Sequence, residues 1–95
     1  MLVAAPIDSL EVVAIGRDRA RYQASVVSGL PNSCARFDRP TVELDRAARV
    51  FTIEVLNLVP TPGANVGCTP QYGQIDHVVL LGGVEAGFAY TVIAY

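Results

Sequence analysis

The stretch Arg49-Val50-Phe51-Thr52-Ile53-Glu54-Val55-Leu56-Asn57 decides the fold. Phe51, Ile53 and Val55 alternate with Thr52 and Glu54. A period of two puts successive side chains on opposite faces of a strand. The arm before it, Thr41–Asp45, is joined to it through Arg46-Ala47-Ala48, so the pair reads as a hairpin. No Asp-Gly stands in that turn. The turn should therefore avoid positive φ and form a longer type I loop.

The same signal recurs outward in both directions. Ile7–Ile15 reads as a strand with Leu10, Val12 and Ala14 on one face. Gly16-Arg17-Asp18-Arg19 reads as a turn. Ala20–Val27 follows, with Tyr22, Ala24 and Val26 facing inward and Arg21, Gln23 and Ser25 outward. Ser28–Ser33 carries turn residues and reads as a loop. Cys34–Phe37 reads as a short strand that Asp38-Arg39-Pro40 breaks. Leu58–Tyr72 holds Pro60, Pro62, Gly63, Gly67 and Pro70, so no interior strand fits there. Gln74–Leu81 and Phe88–Tyr95 close the set, with a glycine-rich turn at Gly82-Gly83 to Gly87 between them. Helical spacing is absent. The expected fold is all-β, an antiparallel Ig-like or Greek-key sandwich of about six or seven strands.

Ninety-five residues make one domain, spanning 1–95, with no repeat and no linker. A domain this small buries only about two-thirds of its unfolded surface, so an added staple matters. Cys34 and Cys68 both stand beside loops. In a small core-poor domain that placement favours a disulfide, the alternative being two buried free thiols of a cytosolic protein.

Net charge is −2 and the pI is about 5.1. That balance argues against nucleic acid as a partner, since counterion release needs a basic face. All seven positive charges are arginine. The chain therefore lacks the lysines that usually blunt exposed strand edges. No apolar run approaches the roughly 18 residues of a membrane span. Met1–Ala5 is too short for the apolar part of an export signal. It reads as a mature start, with Leu2-Val3-Ala4-Ala5 as the remnant of a cleavage site, the alternative being a native cytosolic start.

Three segments are distinctive: Ser28-Gly29-Leu30-Pro31-Asn32-Ser33-Cys34-Ala35-Arg36-Phe37-Asp38, Val55-Leu56-Asn57-Leu58-Val59-Pro60, and Cys68-Thr69-Pro70-Gln71-Tyr72-Gly73. With Tyr90-Thr91-Val92 they resemble a bacterial β-sandwich domain of secreted and lipoprotein-like chains, marked by SGLPxxCxxFD and CTxxYG segments. The resemblance covers nearly the whole chain. It implies a β-sandwich, paired cysteines and an extracytoplasmic place (secreted, periplasmic or cell-surface). It implies no activity.

Residues that could carry chemistry are few. His77, the one histidine, shares a strand face with Ile75, Val79 and Leu81 and reads as structural. No G-x-S-x-G elbow is present. One histidine and two separated cysteines make a poor zinc set, and the acids lack calcium-loop spacing. No catalytic residue, metal or cofactor is assigned. Arg17, Arg19 and Arg21 read as a solvated turn. Arg36, Phe37, Arg39, Asn65 and Tyr72 cluster in sequence around the two cysteine loops and form the candidate binding surface, the alternative being that Phe37 and Tyr72 pack under the loops.

The expected function is a non-enzymatic extracytoplasmic binding or structural module. It would present disulfide-tied loops to a protein, glycan or envelope partner. The alternative is a protease inhibitor acting through Leu58–Gly67. A small enzyme ranks last. The apolar fraction of 52%, with apolar residues on both faces of Val78–Leu81 and Phe88–Tyr95, further predicts a homodimer.

Overall fold

A computed structural model of the chain describes residues 1–15, 21–82, 84–85 and 87–95. Seven strands form: β1 (Leu2–Ala4), β2 (Ile7–Ile15), β3 (Arg21–Leu30), β4 (Arg36–Asp45), β5 (Val50–Leu58), β6 (Gly73–Leu81) and β7 (Thr91–Ala94). There is no helix among the described residues, and so none long and apolar enough to cross a membrane. One sheet runs β1-β5-β4, with β7 also paired to β5; the other runs β2-β3-β6. The expected all-β sandwich with one disulfide is the fold that forms.

β5 is the centre of the first sheet because its alternation is the strongest in the chain. Phe51, Ile53, Val55 and Asn57 are all buried, while Leu58 is exposed. Ala24 and Val26 of β3 and Val79 and Leu81 of β6 meet them from the other sheet. The inward parity read for β3 and β6 holds.

The structure corrects several boundaries. Leu2–Ala4, expected as a leader remnant, is a strand paired antiparallel with Leu56–Leu58. The second strand does not stop at Val27 but continues through Ser28, Gly29 and Leu30. Ser28 is buried, and the Gly29 carbonyl accepts a 2.9 Å hydrogen bond from Asn57 Nδ2. A methyl group at Gly29 would collide with the Tyr72 ring and with Pro6, so glycine there serves packing rather than a turn. Cys34 lies in the connection before β4 rather than in a strand. Asp38-Arg39-Pro40 bends the chain without breaking it. A register shift falls between Phe37 and Arg39, and β4 is an edge strand, where proline is tolerated.

The hairpin loop is long, as expected, and Asp45 Oδ1 accepts from the Ala48 N–H at 3.0 Å. The turn does not avoid positive φ as expected: it runs over residues 46–49, and Arg49, its last residue rather than the first of the strand, has φ 55°. That left-handed geometry is uncommon for a non-glycine residue. Two contacts hold it: the Thr91 N–H donates to the Arg49 carbonyl at 2.9 Å, and the guanidinium lies 3.9 Å over the Phe88 ring. β7 is shorter than expected and pairs parallel with β5. β2 departs from a simple wet and dry alternation, since Val12 and Val13 are both exposed. Val12 faces inward, yet lines an open apolar cleft of about 200 Å³ with Tyr22, Phe51, Leu81 and Tyr90. The turn expected at Gly16–Arg19, with Ala20, Gly83 and Ala86, lies outside the described residues.

Candidate functional site

The end opposite that cleft is built by two loops. Residues 31–35 join β3 to β4, and residues 59–72 join β5 to β6. Cys34 and Cys68 are disulfide-bonded with Cα atoms 5.5 Å apart. Hydrogen bonds reinforce the tie. The Ser33 N–H donates to the Thr69 carbonyl at 3.0 Å, and the Thr69 N–H donates to Ser33 Oγ at 2.8 Å. Asn32 Oδ1 accepts from the N–H groups of Cys34 at 2.9 Å and Ala35 at 3.1 Å. That is the local turn chemistry asparagine offers.

A second anchor fixes the start of β6. The Tyr72 hydroxyl donates to the Asp8 carboxylate, at 2.7 Å for the shorter contact. Gln74 Nε2 donates to Asp8 Oδ2 at 3.0 Å. The Tyr72 hydroxyl, and then the Gln74 amide, hold the Asp8 carboxyl below its usual range. The same bond to Asp8 raises the Tyr72 phenol.

Between these ties runs an open groove of about 670 Å³, lined by Leu30, Asn32, Ser33, Arg36, Gln71 and Tyr72. The structure brings Arg36 and Tyr72 together here. Arg39 does not line the groove. It sits further along the outer face of β4 and pairs with Asp38 at 2.7 Å. Phe37 turns inward, half-buried, with its ring centroid 5.0 Å from that of His77. It supports the surface from beneath rather than forming it. Asn65 is exposed within the 59–72 loop and does not line the groove. Asn32, Ser33 and Gln71 were missed from sequence. Their signal was adjacency, since each flanks a cysteine segment or Tyr72.

His77 stands inside the sandwich. Its Nε2 lies 3.3 Å from Ser28 Oγ. A hydroxyl–imidazole pair is the beginning of a nucleophilic site. Here Ser28 is 1% exposed, so no substrate carbonyl can approach it. Asp76 falls on the opposite strand face by the parity of β6. Burial holds the His77 imidazole below its ordinary 6.5, against the opposing pull of Asp76. Among the described residues, His77 Nδ1 and Asn57 Oδ1 are buried without a hydrogen-bond partner.

The sign of the His77 effect follows. The unfolded chain takes up a proton near pH 6.5, while the folded imidazole resists it to a lower pH. Stability present above pH 6.5 is therefore lost progressively as pH falls toward the folded value. Replacing His77 by glutamine removes this contribution. Urea midpoints at pH 7.5 and pH 5 should differ less in His77→Gln than in the unaltered chain; equal differences would refute the assignment.

No group of three or more His, Cys, Asp or Glu comes together among the described residues. Both cysteines are consumed by the disulfide. A family model described as the ORF11 beta-sandwich domain matches residues 24–94. No curated protein and no solved structure matches the chain.

Proposed function

We propose, for a chain that belongs to the ORF11 beta-sandwich domain family, that it is a non-enzymatic extracytoplasmic binding module. Its working surface is the groove between the two disulfide-tied loops. The observation that carries this reading is the groove itself: open, polar-rimmed and held at Cys34–Cys68. Its rim offers amides, a hydroxyl, the Arg36 guanidinium and the exposed Tyr72 ring. Those groups suit a polar partner chain, a glycan or an extended protein segment, better than a small apolar ligand. Arginine and tyrosine are also the side chains that most often dominate binding energy. The disulfide is compatible with an oxidising compartment, which supports a secreted, periplasmic or cell-surface place.

The test is a screen of the oxidised protein against immobilised glycans and extended peptides. Any partner found should bind at least about tenfold more weakly to the Arg36→Ala/Tyr72→Ala double variant. A partner whose affinity is indifferent to both changes would move the site elsewhere and refute the reading.

The protease-inhibitor reading keeps one supporting observation. Residues 61–72 are exposed throughout, and a turn closes from the Ala64 N–H to the Thr61 carbonyl at 3.0 Å. Loss of inhibition on cutting or replacing that turn would distinguish it from the groove. A catalytic reading has less support, because the Ser28 hydroxyl of the Ser28–His77 pair is buried.

A further inference from the structure

Sheet edges carry unpaired backbone donors and acceptors, and soluble proteins defend them. Three of the edges here are defended. β4 has Pro40, the bulge between Phe37 and Arg39, and the charges Arg36, Asp38, Arg39 and Glu43. β1 and β7 are short, at three and four residues. β2 has a register irregularity between Ile7 and Ser9, and Asp8 within it is held by Tyr72 and Gln74.

β6 has none of these devices. It runs nine residues, Gly73–Leu81, with no proline, lysine or arginine, and Asp76 is its single formal charge. Its register with β3 is unbroken from end to end. It pairs with β3 alone, so its other edge is open among the described residues. Its outward face carries Val78 at 56% and Leu80 at 70% exposure.

We infer that β6 is the edge at which two copies of this chain pair, antiparallel about a two-fold axis, to form one continuous sheet β2-β3-β6-β6-β3-β2. An antiparallel strand is its own complement under a two-fold, which makes a second copy the fitting occupant. Charge rules out one register, and the exposed Val78–Leu80 face favours another. Centring on Asp76 would set two carboxylates opposite each other, which is unfavourable. Centring on Val78 sets Asp76 of each copy against Leu80 of the other and brings both Val78 side chains together. The ladder then runs over Ile75–Leu81 of each copy. β4, the edge of the other sheet nearest β6, cannot continue in the same way because its proline and bulge interrupt it. The inference is independent of the loop groove, and either can fail alone.

Sedimentation equilibrium from about 5 to about 200 µM tests it, since a single added ladder makes a modest interface. A concentration-dependent dimer is expected. Leu80→Lys, at an exposed position, should weaken it at least about tenfold. Val78→Cys, on the axis, should give a disulfide-linked dimer on oxidation. Val13→Cys, on the outer face of the far edge strand β2, should not. A monomer throughout the range overturns the inference. So does a dimer that Leu80→Lys leaves intact and Val78→Cys fails to trap. Should Leu80→Lys fail to fold, the cysteine pair decides.

Discussion

Replacing Cys34 and Cys68 together by serine is expected to remove about 3–4 kcal/mol of stability. The bridge closes a loop with a sequence separation of 34. That loop holds the whole of β4 and β5, so the unfolded chain gains much freedom once it opens. The loss is a large share of the roughly 5–15 kcal/mol available to a domain of this kind. With a urea m-value near 1–1.5 kcal/mol per molar, the midpoint should fall by about 2–4 M. A fall below about 1 M would mean that the Ser33–Thr69 bonds, not the covalent tie, hold the two loops together. The groove should respond as well. Without the bridge, Asn32 and Gln71 stand on segments held together by those hydrogen bonds and the adjoining end of the β3–β6 ladder, and partner affinity should drop with stability.

Ile53→Ala is the second large effect. Ile53 is fully buried on the central strand, opposite Val42 of β4 on one side and Ala94 of β7 on the other. Removing its branched side chain loses transfer free energy and leaves a cavity that backbone pairing on both sides keeps from collapsing. The expected cost is about 3–4 kcal/mol, near the upper part of the range for such truncations. In a domain of this length that lowers the melting temperature by about 15–25 °C. Leu80→Ala is the natural control. Leu80 is 70% exposed, and at concentrations where the chain is monomeric its truncation should stay within about 0.5 kcal/mol. Equal losses at the two positions would contradict the assignment of the core to β5.

Much of this fold was legible because alternation survives wherever a strand has one buried face. Phe51, Ile53 and Val55, and again Ala24, Val26, Val79 and Leu81, announce their direction without a structure. The failures have physical causes. β1 is three residues long and gains order only by lying on β5, so no local period exists to read. Gly29 looks like a turn residue because its true role depends on the ring of Tyr72, far away in sequence. Asp38-Arg39-Pro40 looks like a break because an edge strand can absorb what an interior strand cannot.

The candidate site was half legible. Pairing the cysteines places Arg36 and Tyr72 on one groove. Phe37 takes the alternative place beneath the loops, its inward facing set by strand parity ahead of a bulge that the sequence does not announce. Asn65 belongs to a part of the loop that the disulfide does not bring to the groove.

One consequence of the bridge concerns cutting rather than folding. The exposed segment 61–67 lies wholly within the covalent ring closed by Cys34 and Cys68. A protease that nicks it creates two new ends but no fragment. The severed chain stays tethered through sulfur, its mass rises only by the water of hydrolysis, and the two pieces remain covalently joined until a reductant arrives. Damage at this exposed stretch is thus stored silently until the redox environment changes.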